Sequence, residues 1–313
     1  MDINSITDIL SSMIRIATPL TLMALGGLLC QKAGVFNIAL EGFSLIGAFA
    51  GIAFVQVTGG NVYMGMLGAI ICGMLFSCIY ALFVTRFKAN YIIASIAMNM
   101  MGLGLTSFLL RTLFQVQGRL APDVINKLNP IDIPILKNIP ILSSLSGQSI
   151  VTYVTILLVV IVYIVLFKTK AGLSICAVGE SEDAATTAGI KPNKVRWKVI
   201  LISGALCGLA GAYLSTVIVS QFSENMVAGR GFNAFTAFAF GNAHPIWTTL
   251  VTLLFGIAEA IGIRIELAGM NISPSIIKMF PYVLAIIALT VSSYTNKLKL
   301  SGAVGRKRKE KAK

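Results

Sequence analysis

The chain has 313 residues, of which 56% are hydrophobic and only 12% are charged, and its mean hydropathy is +0.86. A soluble globular domain carries about 25% charged residues, so most of this chain has no water-facing surface. The composition excludes a soluble enzyme, a disulfide-rich secreted scaffold and a disordered chain. It predicts a polytopic membrane protein. Because the apolar runs are continuous, without the alternation of a barrel strand, the predicted fold class is all-α.

The charge is distributed unevenly along the chain. The formal net charge is +13, and 8 of the 25 lysines and arginines lie within residues 297–313. A basic tail can bind nucleic acid, but positive charge beside a final membrane span marks its cytoplasmic side. We therefore interpret 297–313 as a basic cytoplasmic tail with no nucleic-acid partner. The five cysteines are scattered and form no Cys-x-x-Cys pair, which predicts small buried side chains and no metal site.

Membrane spans are indicated, in chain order, by stretches without Asp, Glu, Lys or Arg. The first covers 16–31 and extends back to Ile9, and the second, 42–85, has 44 uncharged residues, enough for two helices. The remaining stretches are 89–110, 138–167 with a span at 151–167, 199–223, 231–258 (interrupted near His244 and Pro245) and 279–296. We count about eight full spans plus two broken or half-length segments, near 34–58 and 231–243, which makes 8 to 10 depending on the counting convention.

A single transmembrane domain, residues 1–296, is predicted, with a weak internal repeat. A Gly/Ala-rich tetrapeptide followed by a Phe-Asn pair occurs within 25–37 and again within 209–233. Duplicated halves are common in transporter folds, so we predict repeat-like halves at about 9–111 and 150–296.

Loop charges determine the predicted orientation. Residues 168–198 carry six basic groups, which places this loop on the cytoplasmic side, where Arg86 and Lys88 mark another turn. The loop 112–148 then lies outside. It holds four of the nine prolines and is expected to form an ordered but irregular cap. With the tail inside and an even number of crossings, both termini are predicted to be cytoplasmic.

Two carboxylates within apolar segments need an explanation. A charge at the bilayer centre costs roughly 2.5–3.5 kcal/mol, so Glu41 must be protonated, paired, near the interface or facing a cavity. One interpretation makes it a pathway or gating residue. The other makes it a structural carboxylate that caps a broken helix, which Asn37 and Gly42 favour. Glu259 poses the same question, although Arg264 is close enough in sequence to pair with it near an interface.

Small and isolated polar residues within the spans favour structural roles. A row of small residues on one span lets helices approach closely, and its members are Gly204, Gly208, Gly211 and Ala212. Asn99 lies mid-span and either contacts substrate or forms a hydrogen bond between helices, which is the more frequent role. His244 is the only histidine, so the sequence predicts neither a metal cluster nor a catalytic triad.

One soluble segment lies within the 168–198 loop. Glu180, Glu182 and Asp183 open a run of alanine and threonine that Gly189 ends. Acidic residues at the start and glycine at the end are helix-boundary signals. We predict a short helix outside the membrane that docks on a partner; the alternative is a solvated connector helix.

Several motifs resemble one family of ABC importer permeases. Asp183-Ala184-Ala185-x-x-x-Gly189 matches the Glu-Ala-Ala-x-x-x-Gly loop of these permeases, with Asp in place of Glu and without the Leu-Pro expected downstream. Four further motifs occur in order: GVFNIALEG at 34–42, NYIIASIAMN at 90–99, ISGALCGLAGA at 202–212 and GRGFNAFTAFAFGN at 229–242. Together they resemble the branched-chain amino acid/ribose-type permease family, closest to its nucleoside and simple-sugar branch, over most of the chain.

This resemblance implies a non-catalytic, multi-pass permease subunit of a bacterial importer in the cell membrane, with nucleosides as substrate and simple sugars as the alternative. It implies three kinds of partner: a second permease in a heterodimer, ATP-binding subunits, and an extracellular substrate-binding protein or lipoprotein. The implied ATPase-coupling residues are Glu180, Glu182, Asp183, Ala184, Ala185 and Gly189. The chain has no Gly-x4-Gly-Lys-Ser/Thr loop, so ATP and Mg²⁺ are expected on the partner ATPase and no cofactor on this chain.

The pathway is expected along the two broken segments, because irregular backbone at membrane depth must face protein or water. The candidate pathway and gating residues are Asn37, Glu41, Gly42, Asn99, Phe232, Asn233, Asn242 and Glu259. A rival hypothesis is an ATP-independent secondary transporter that uses Glu41 and Glu259 as proton or cation sites. Dependence on ATP and on partner subunits distinguishes the two hypotheses.

Overall fold

The computed structural model describes residues 3–131 and 142–267, together with the single positions 279 and 283. The elements within these residues, in chain order, are α1 Ile3–Lys32, α2 Leu40–Val57, α3 Val62–Thr85, α4 Tyr91–Phe114, β1 Arg119–Leu120, a 3₁₀ turn Leu142–Leu145, α5 Ile150–Lys168, α6 Lys170–Glu180, α7 Glu182–Thr187, α8 Pro192–Ala212, a π-helical continuation Tyr213–Val219, β2 Phe222–Ser223, α9 Arg230–Phe240 and α10 Pro245–Leu267.

Seven of the described helices are long and apolar enough to cross a membrane: α1 to α5, α8 with its continuation, and α10. The prediction of a helical, multi-pass membrane protein is therefore confirmed. The predicted last span, 279–296, and the basic tail, 297–313, lie outside the described residues apart from two single positions. The division of the chain into repeat-like halves stays a prediction.

The uncharged stretch 42–85 forms two helices, as predicted, because glycine and asparagine interrupt it. Gly59 and Gly60 have φ angles of +66° and +98°, a conformation that glycine adopts without steric strain. The Asn61 side chain then accepts hydrogen bonds from the backbone N–H groups of Tyr63 and Met64, which caps α3. These residues end α2 and start the next crossing.

The first predicted broken segment, near 34–58, differs from the structure. α2 is a continuous helix of 18 residues, and the irregular backbone precedes it at residues 33–39, which we call the break. The glycines of α2 do not interrupt the helix, because they face the backbones of neighbouring helices: a Cβ on Gly42 would lie 2.7 Å from the carbonyl oxygen of Met98. Close packing therefore compensates for the low helix propensity of glycine.

The second predicted broken segment is present where the sequence indicated it. α9 has only 11 residues, about half of a span. Asn242 and Ala243 have φ angles of +51° and +47° and separate α9 from α10. The next helix begins at Pro245, where proline is tolerated because the first turn of a helix has no partner for its missing N–H.

α8 packs against α1, α2 and α3, and its small residues bring the backbones together. A Cβ on Gly204 would lie 2.5 Å from the carbonyl oxygen of Gly73, and a Cβ on Gly211 would overlap the carbonyl oxygen of Ser44. Gly208 faces α3 in the same way. The row of small residues thus lies on the tightest helix contacts of α8, the position that the small-xxx-small pattern favours.

The two ends of α1 lie beside two different loops. Near its start, Ser11 accepts hydrogen bonds from the Gln148 side chain, at 2.9 Å through its hydroxyl and at 3.3 Å through its carbonyl oxygen. At its other end, the Lys32 carbonyl lies against Gly179. α1 therefore crosses from the side of the 112–148 loop, predicted to be external, to the side of the 168–198 loop, predicted to be cytoplasmic.

This placement corrects the prediction that the N-terminus shares a side with the 168–198 loop. Five spans, α1 to α5, precede the 168–198 loop, and an odd number of crossings places the start of α1 on the side opposite that loop. A further crossing lies at residues 220–240. β2, which follows α8, pairs with β1 of the 112–148 loop. Phe238, near the end of α9, packs against Gly27 in the last two turns of α1. An irregular stretch and a half-length helix together return the chain to the other side.

Candidate pathway and docking loop

The break and the first turn of α2 leave backbone polar groups without helical partners, and α4 supplies partners for three of them. The Asn99 Oδ1 accepts a hydrogen bond from the Gly42 N–H at 2.8 Å, and its Nδ2 donates to the Ile38 carbonyl at 3.1 Å. The Ser95 hydroxyl accepts from the Ile38 N–H at 3.1 Å. A buried backbone group without a partner costs about 1–3 kcal/mol. These contacts support the helix-to-helix role of Asn99 over a contact with substrate.

Asn37 lies inside the break and is also occupied by intrachain hydrogen bonds. Its side chain is 1% exposed. The Oδ1 accepts from the Ala39 N–H at 2.9 Å, and the Nδ2 donates to the Ser203 hydroxyl of α8 at 3.3 Å. Both ends of the amide are satisfied, so Asn37 joins the break to α8 and presents no polar atom to a passing molecule in this conformation.

Glu41, in the first turn of α2, holds the N-terminus of α9. Its Oε1 accepts from the Gly229 N–H at 2.8 Å and its Oε2 accepts from the Gly231 N–H at 2.7 Å. A carboxylate at a helix N-terminus pairs with N–H groups that have no partner inside the helix and interacts favourably with the helix dipole. A Cβ on Gly231 would lie 2.5 Å from the backbone nitrogen of Glu41, so only glycine permits this approach.

The capping interpretation of Glu41 is thus the one that the geometry supports, with one difference from the expectation. The capped helix is α9, not a broken helix next to Glu41 in the sequence. As a result, the carboxylate joins the break and the half-length helix, the two irregular membrane segments.

A cluster of aromatic side chains lies on these two segments. Phe36 of the break packs edge-to-face on Phe235 of α9, with ring centroids 5.2 Å apart and an interplanar angle of 78°. Phe232, one helical turn before Phe235, is 49% exposed, and Phe36 is 39% exposed. We call Phe36, Phe232 and Phe235 the aromatic surface. The sequence predicts Phe232 as a pathway residue but not Phe36, although a large apolar residue between two helix-breaking positions is a usable signal.

Of the remaining candidate pathway residues, only Asn233 is adjacent in sequence to a residue of the aromatic surface. Asn233 follows Phe232 on α9 and is half-buried. Asn242 is exposed beyond the other end of α9, about 14 Å from Asn233 along the helix axis. Glu259 is half-buried on α10, in a second unit that begins at Ile257.

The 168–198 loop contains the predicted short helix, with a corrected start. α6 ends at Glu180, so this residue does not open the acidic helix. Ser181 has extended backbone angles and its hydroxyl accepts from the Ala184 N–H at 3.3 Å, which makes it the N-cap of α7. Gly189, at φ +81°, follows the helix end. Glu180, Glu182, Asp183 and Ala184 are exposed, whereas Ala185 is buried.

A cavity of about 560 Å³ lies between α7, the start of α8 and the α3–α4 turn. Its lining includes Phe36, Lys88, Tyr91, Glu182 and Arg196. Arg196 pairs with Glu182, with Nη1 and Oε2 2.9 Å apart. From the sequence, Arg196 is only one of the basic residues of the loop, because its partners are distant in sequence.

The exposed surface of the spans is unevenly distributed. α1, α2 and α8 are mostly buried within the chain, whereas α4 and α5 are mostly exposed. The large apolar side chains of α4 that are more than half exposed are Ile93, Met100, Phe108 and Leu113. A surface of this kind contacts lipid or another apolar protein surface.

Comparison with known proteins identifies the family. The family described as the permease component of branched-chain amino acid transport systems matches residues 9–289. The chain is 32% identical over 298 residues to the nucleoside ABC transporter permease protein NupC of Lactococcus lactis subsp. cremoris (strain MG1363), a match that covers 92% of this chain and 93% of the relative. It is 36% identical over 302 residues to the guanosine ABC transporter permease protein NupQ of Bacillus subtilis (strain 168), covering 93% of each chain.

A second Bacillus subtilis (strain 168) relative, the guanosine ABC transporter permease protein NupP, is 29% identical over 303 residues, covering 93% of this chain and 84% of the relative. The family match spans most of the chain, and the relatives match it nearly end to end. This protein therefore belongs to the family of branched-chain amino acid transport system permease components, as a non-catalytic, multi-pass subunit of an ABC transporter in the cell membrane.

Proposed function

We propose that this chain is one permease subunit of an ATP-driven importer for nucleosides. The observation that carries the proposal is the match, over more than nine-tenths of the chain, to two relatives named for nucleoside and guanosine transport. The aromatic surface supports this substrate class. Ligand sites are lined mainly by apolar and aromatic side chains with a few polar groups, and a nucleobase stacks on such rings.

A second permease completes the pathway in this proposal. The exposed apolar faces of α4 and α5 provide a surface for it, and NupP and NupQ are two different guanosine permease proteins of one organism. The aromatic surface is open on one side, since Phe232 and Phe36 remain partly exposed. The partner permease closes this side, and an extracellular binding protein delivers the substrate.

ATP hydrolysis belongs to a separate subunit that binds α7. This helix is exposed, acidic and held on the spans by its buried Ala185. Charge reversal by Asp183→Lys is expected to lower the recovery of the ATPase with the tagged permease by at least about fivefold, because an interfacial ion pair is replaced by repulsion. The matched control is Asp123→Lys, an exposed carboxylate of the 112–148 loop. Normal recovery and normal coupled transport for both Asp183→Lys and Glu180→Lys would remove the docking assignment.

The direct test of the proposed function is uptake by the assembled transporter. The tagged chain is purified from native membranes with its partners, the associated proteins are identified by mass spectrometry, and the complex is placed in liposomes. We expect co-purification of an ATPase and a second permease, and ATP-dependent uptake of labelled guanosine or uridine that excess glucose does not inhibit. Inhibition by glucose would favour the simple-sugar alternative. Uptake by the chain alone, without ATP, would favour a secondary transporter.

Replacement of Phe232 tests the pathway itself. Phe232→Ala is expected to reduce nucleoside uptake by about two- to tenfold, the range that corresponds to the loss of one aromatic contact. Phe232→Tyr keeps the ring and is the control, so it is expected to retain uptake. If the alanine variant assembles and transports normally, the aromatic surface does not contact the substrate.

A further inference from the structure

The break touches the 168–198 loop at two places on either side of α7. Beyond the end of α7, Arg196 of α8 donates from its Nη1 to Glu182 Oε2 at 2.9 Å and from its Nε to the Ala33 carbonyl at 3.4 Å. Before α7, the backbone of Gly179 lies against Lys32 and Gly34; a Cβ on Gly34 would lie 3.3 Å from the Gly179 Cα. Residues 32–34 are therefore held by both ends of the segment that carries α7.

Of these contacts, only those of Arg196 are made by a side chain, and that side chain has several hydrogen-bond donors in fixed directions. Its side chain is 13% exposed, whereas that of Glu182 is 52% exposed. The planar guanidinium has donors that point in different directions, so one side chain binds a carboxylate and a carbonyl at once; a lysine ammonium is a point charge on a flexible stem. An ion pair with one exposed partner contributes little to folding stability, so stability alone does not account for this arrangement.

The break is in turn connected to the aromatic surface. Asn37 and Asn99 hold its backbone on α8 and α4, and two residues after the break Glu41 holds the N-terminus of α9. Phe36, within the break, packs on Phe235 of α9. A displacement of the break therefore changes the position of both the start of α2 and α9.

We propose that Arg196 is a positioning residue that transmits movement of α7 to the break, and through the break to α9 and the aromatic surface. This inference rests on the proposed function, in which an ATPase moves α7 during its cycle. Closure of the ATPase pulls Glu182, the guanidinium follows, and the Ala33 carbonyl follows the guanidinium. The result is a coupled displacement of the segment that precedes α2.

The experiment measures substrate transported per ATP hydrolysed by the complete transporter in liposomes, together with ATPase recovery during purification. The test variants are Arg196→Gln, which removes both hydrogen bonds that the guanidinium donates, and Arg196→Lys. The lysine variant keeps the positive charge but not the planar set of donors. The control is Lys194→Gln, an exposed basic residue two positions earlier on α8, which removes the same charge.

We expect the two Arg196 variants to bind the ATPase and hydrolyse ATP at rates close to those of the wild type, while transport per ATP falls by at least about threefold, the low end of effects on coupling between sites. Lys194→Gln is expected to keep the wild-type ratio. A wild-type ratio in Arg196→Gln would overturn the proposal, as would failure of both Arg196 variants to assemble, which would make Arg196 a residue needed for folding only. If the wild-type complex shows no ATP-dependent uptake, the proposed function itself fails, which is a separate outcome.

Discussion

Replacement of Glu41 by glutamine tests whether a single carboxylate holds the half-length helix in place. Both oxygens of Glu41 accept backbone hydrogen bonds, from Gly229 at 2.8 Å and from Gly231 at 2.7 Å. Glutamine keeps one acceptor oxygen, but its amide NH₂ group then faces the other backbone N–H. The variant therefore loses one charge-assisted hydrogen bond and leaves one N–H without a partner, and the shape of the side chain is retained.

The expected size of the effect follows from these two bonds. Hydrogen bonds to charged groups contribute about 1.5–3 kcal/mol each, so we expect Glu41→Gln to destabilise the local attachment of α9 by about 2–3 kcal/mol. Glu41→Ala removes both bonds and is expected to cost about 3–6 kcal/mol. A change of 2–3 kcal/mol corresponds to an increase of about 30- to 150-fold in the population of the detached state.

Hydrogen–deuterium exchange of the Gly229 and Gly231 amides reads this population directly, because protected amides exchange through local opening. Peptides that cover residues 226–236 are expected to exchange faster in Glu41→Gln, whereas peptides from α8 keep the wild-type rate. The matched control is Asp123→Asn, an acid-to-amide change at an exposed site, which is expected to leave both regions unchanged. A wild-type exchange rate for the 226–236 peptides in Glu41→Gln would show that the carboxylate does not hold α9.

Three further predictions concern packing and hydrogen bonds between helices. Gly208→Val places side-chain atoms into the backbone of α3 and is expected to abolish folded protein in fluorescence-detected size exclusion. The control Gly104→Val, where a Cβ meets no atom within 4 Å, is expected to be tolerated. Equal yields of folded protein for the two variants would show that Gly208 is not needed for helix packing. Asn99→Leu leaves the Ile38 carbonyl of the break and the Gly42 N–H of α2 without this partner and is expected to lower the free energy of unfolding by about 2–4 kcal/mol. An unchanged stability would refute the structural role of Asn99. The hydroxyl oxygens of Thr21 and Thr252 lie 2.7 Å apart. A double-mutant cycle with valine at both positions is expected to give a coupling energy of only about 0.6 kcal/mol. A value several times larger would mean that membrane burial strengthens this hydrogen bond.

Local signals in the sequence were sufficient to place most helices. The pair of glycines before Asn61 divided a long uncharged stretch into α2 and α3, and the proline at 245 coincided with a helix start. Local signals failed where two helices abut directly. The sequence predicts that Glu180 begins the acidic helix, yet Ser181 is the N-cap of α7. Capping depends on backbone angles that the order of acidic residues does not specify.

The candidate site was harder to predict than the helices. The sequence indicated that Glu41 needed an explanation, but its partners follow it by 188 and 190 residues. Asn37 and Asn99 were candidates for substrate contact because polar groups at membrane depth are costly; the structure shows that both form hydrogen bonds to backbone groups of the break. Phe36 and Arg196 were missed, since their importance depends on neighbours from other helices.

The sequence by itself determined the environment, the helical class, the segments that cross the membrane and the family, because hydropathy, charge and collinear motifs are properties of local stretches of chain. Only the tertiary structure decided that α1 starts beside the 112–148 loop, that Glu41 caps α9, and that the break is connected to α7 through Arg196. These features depend on which helices become neighbours. That choice is made by the close approach of small residues and by the need of each buried polar group for a partner, and both conditions are met only when the whole chain has folded.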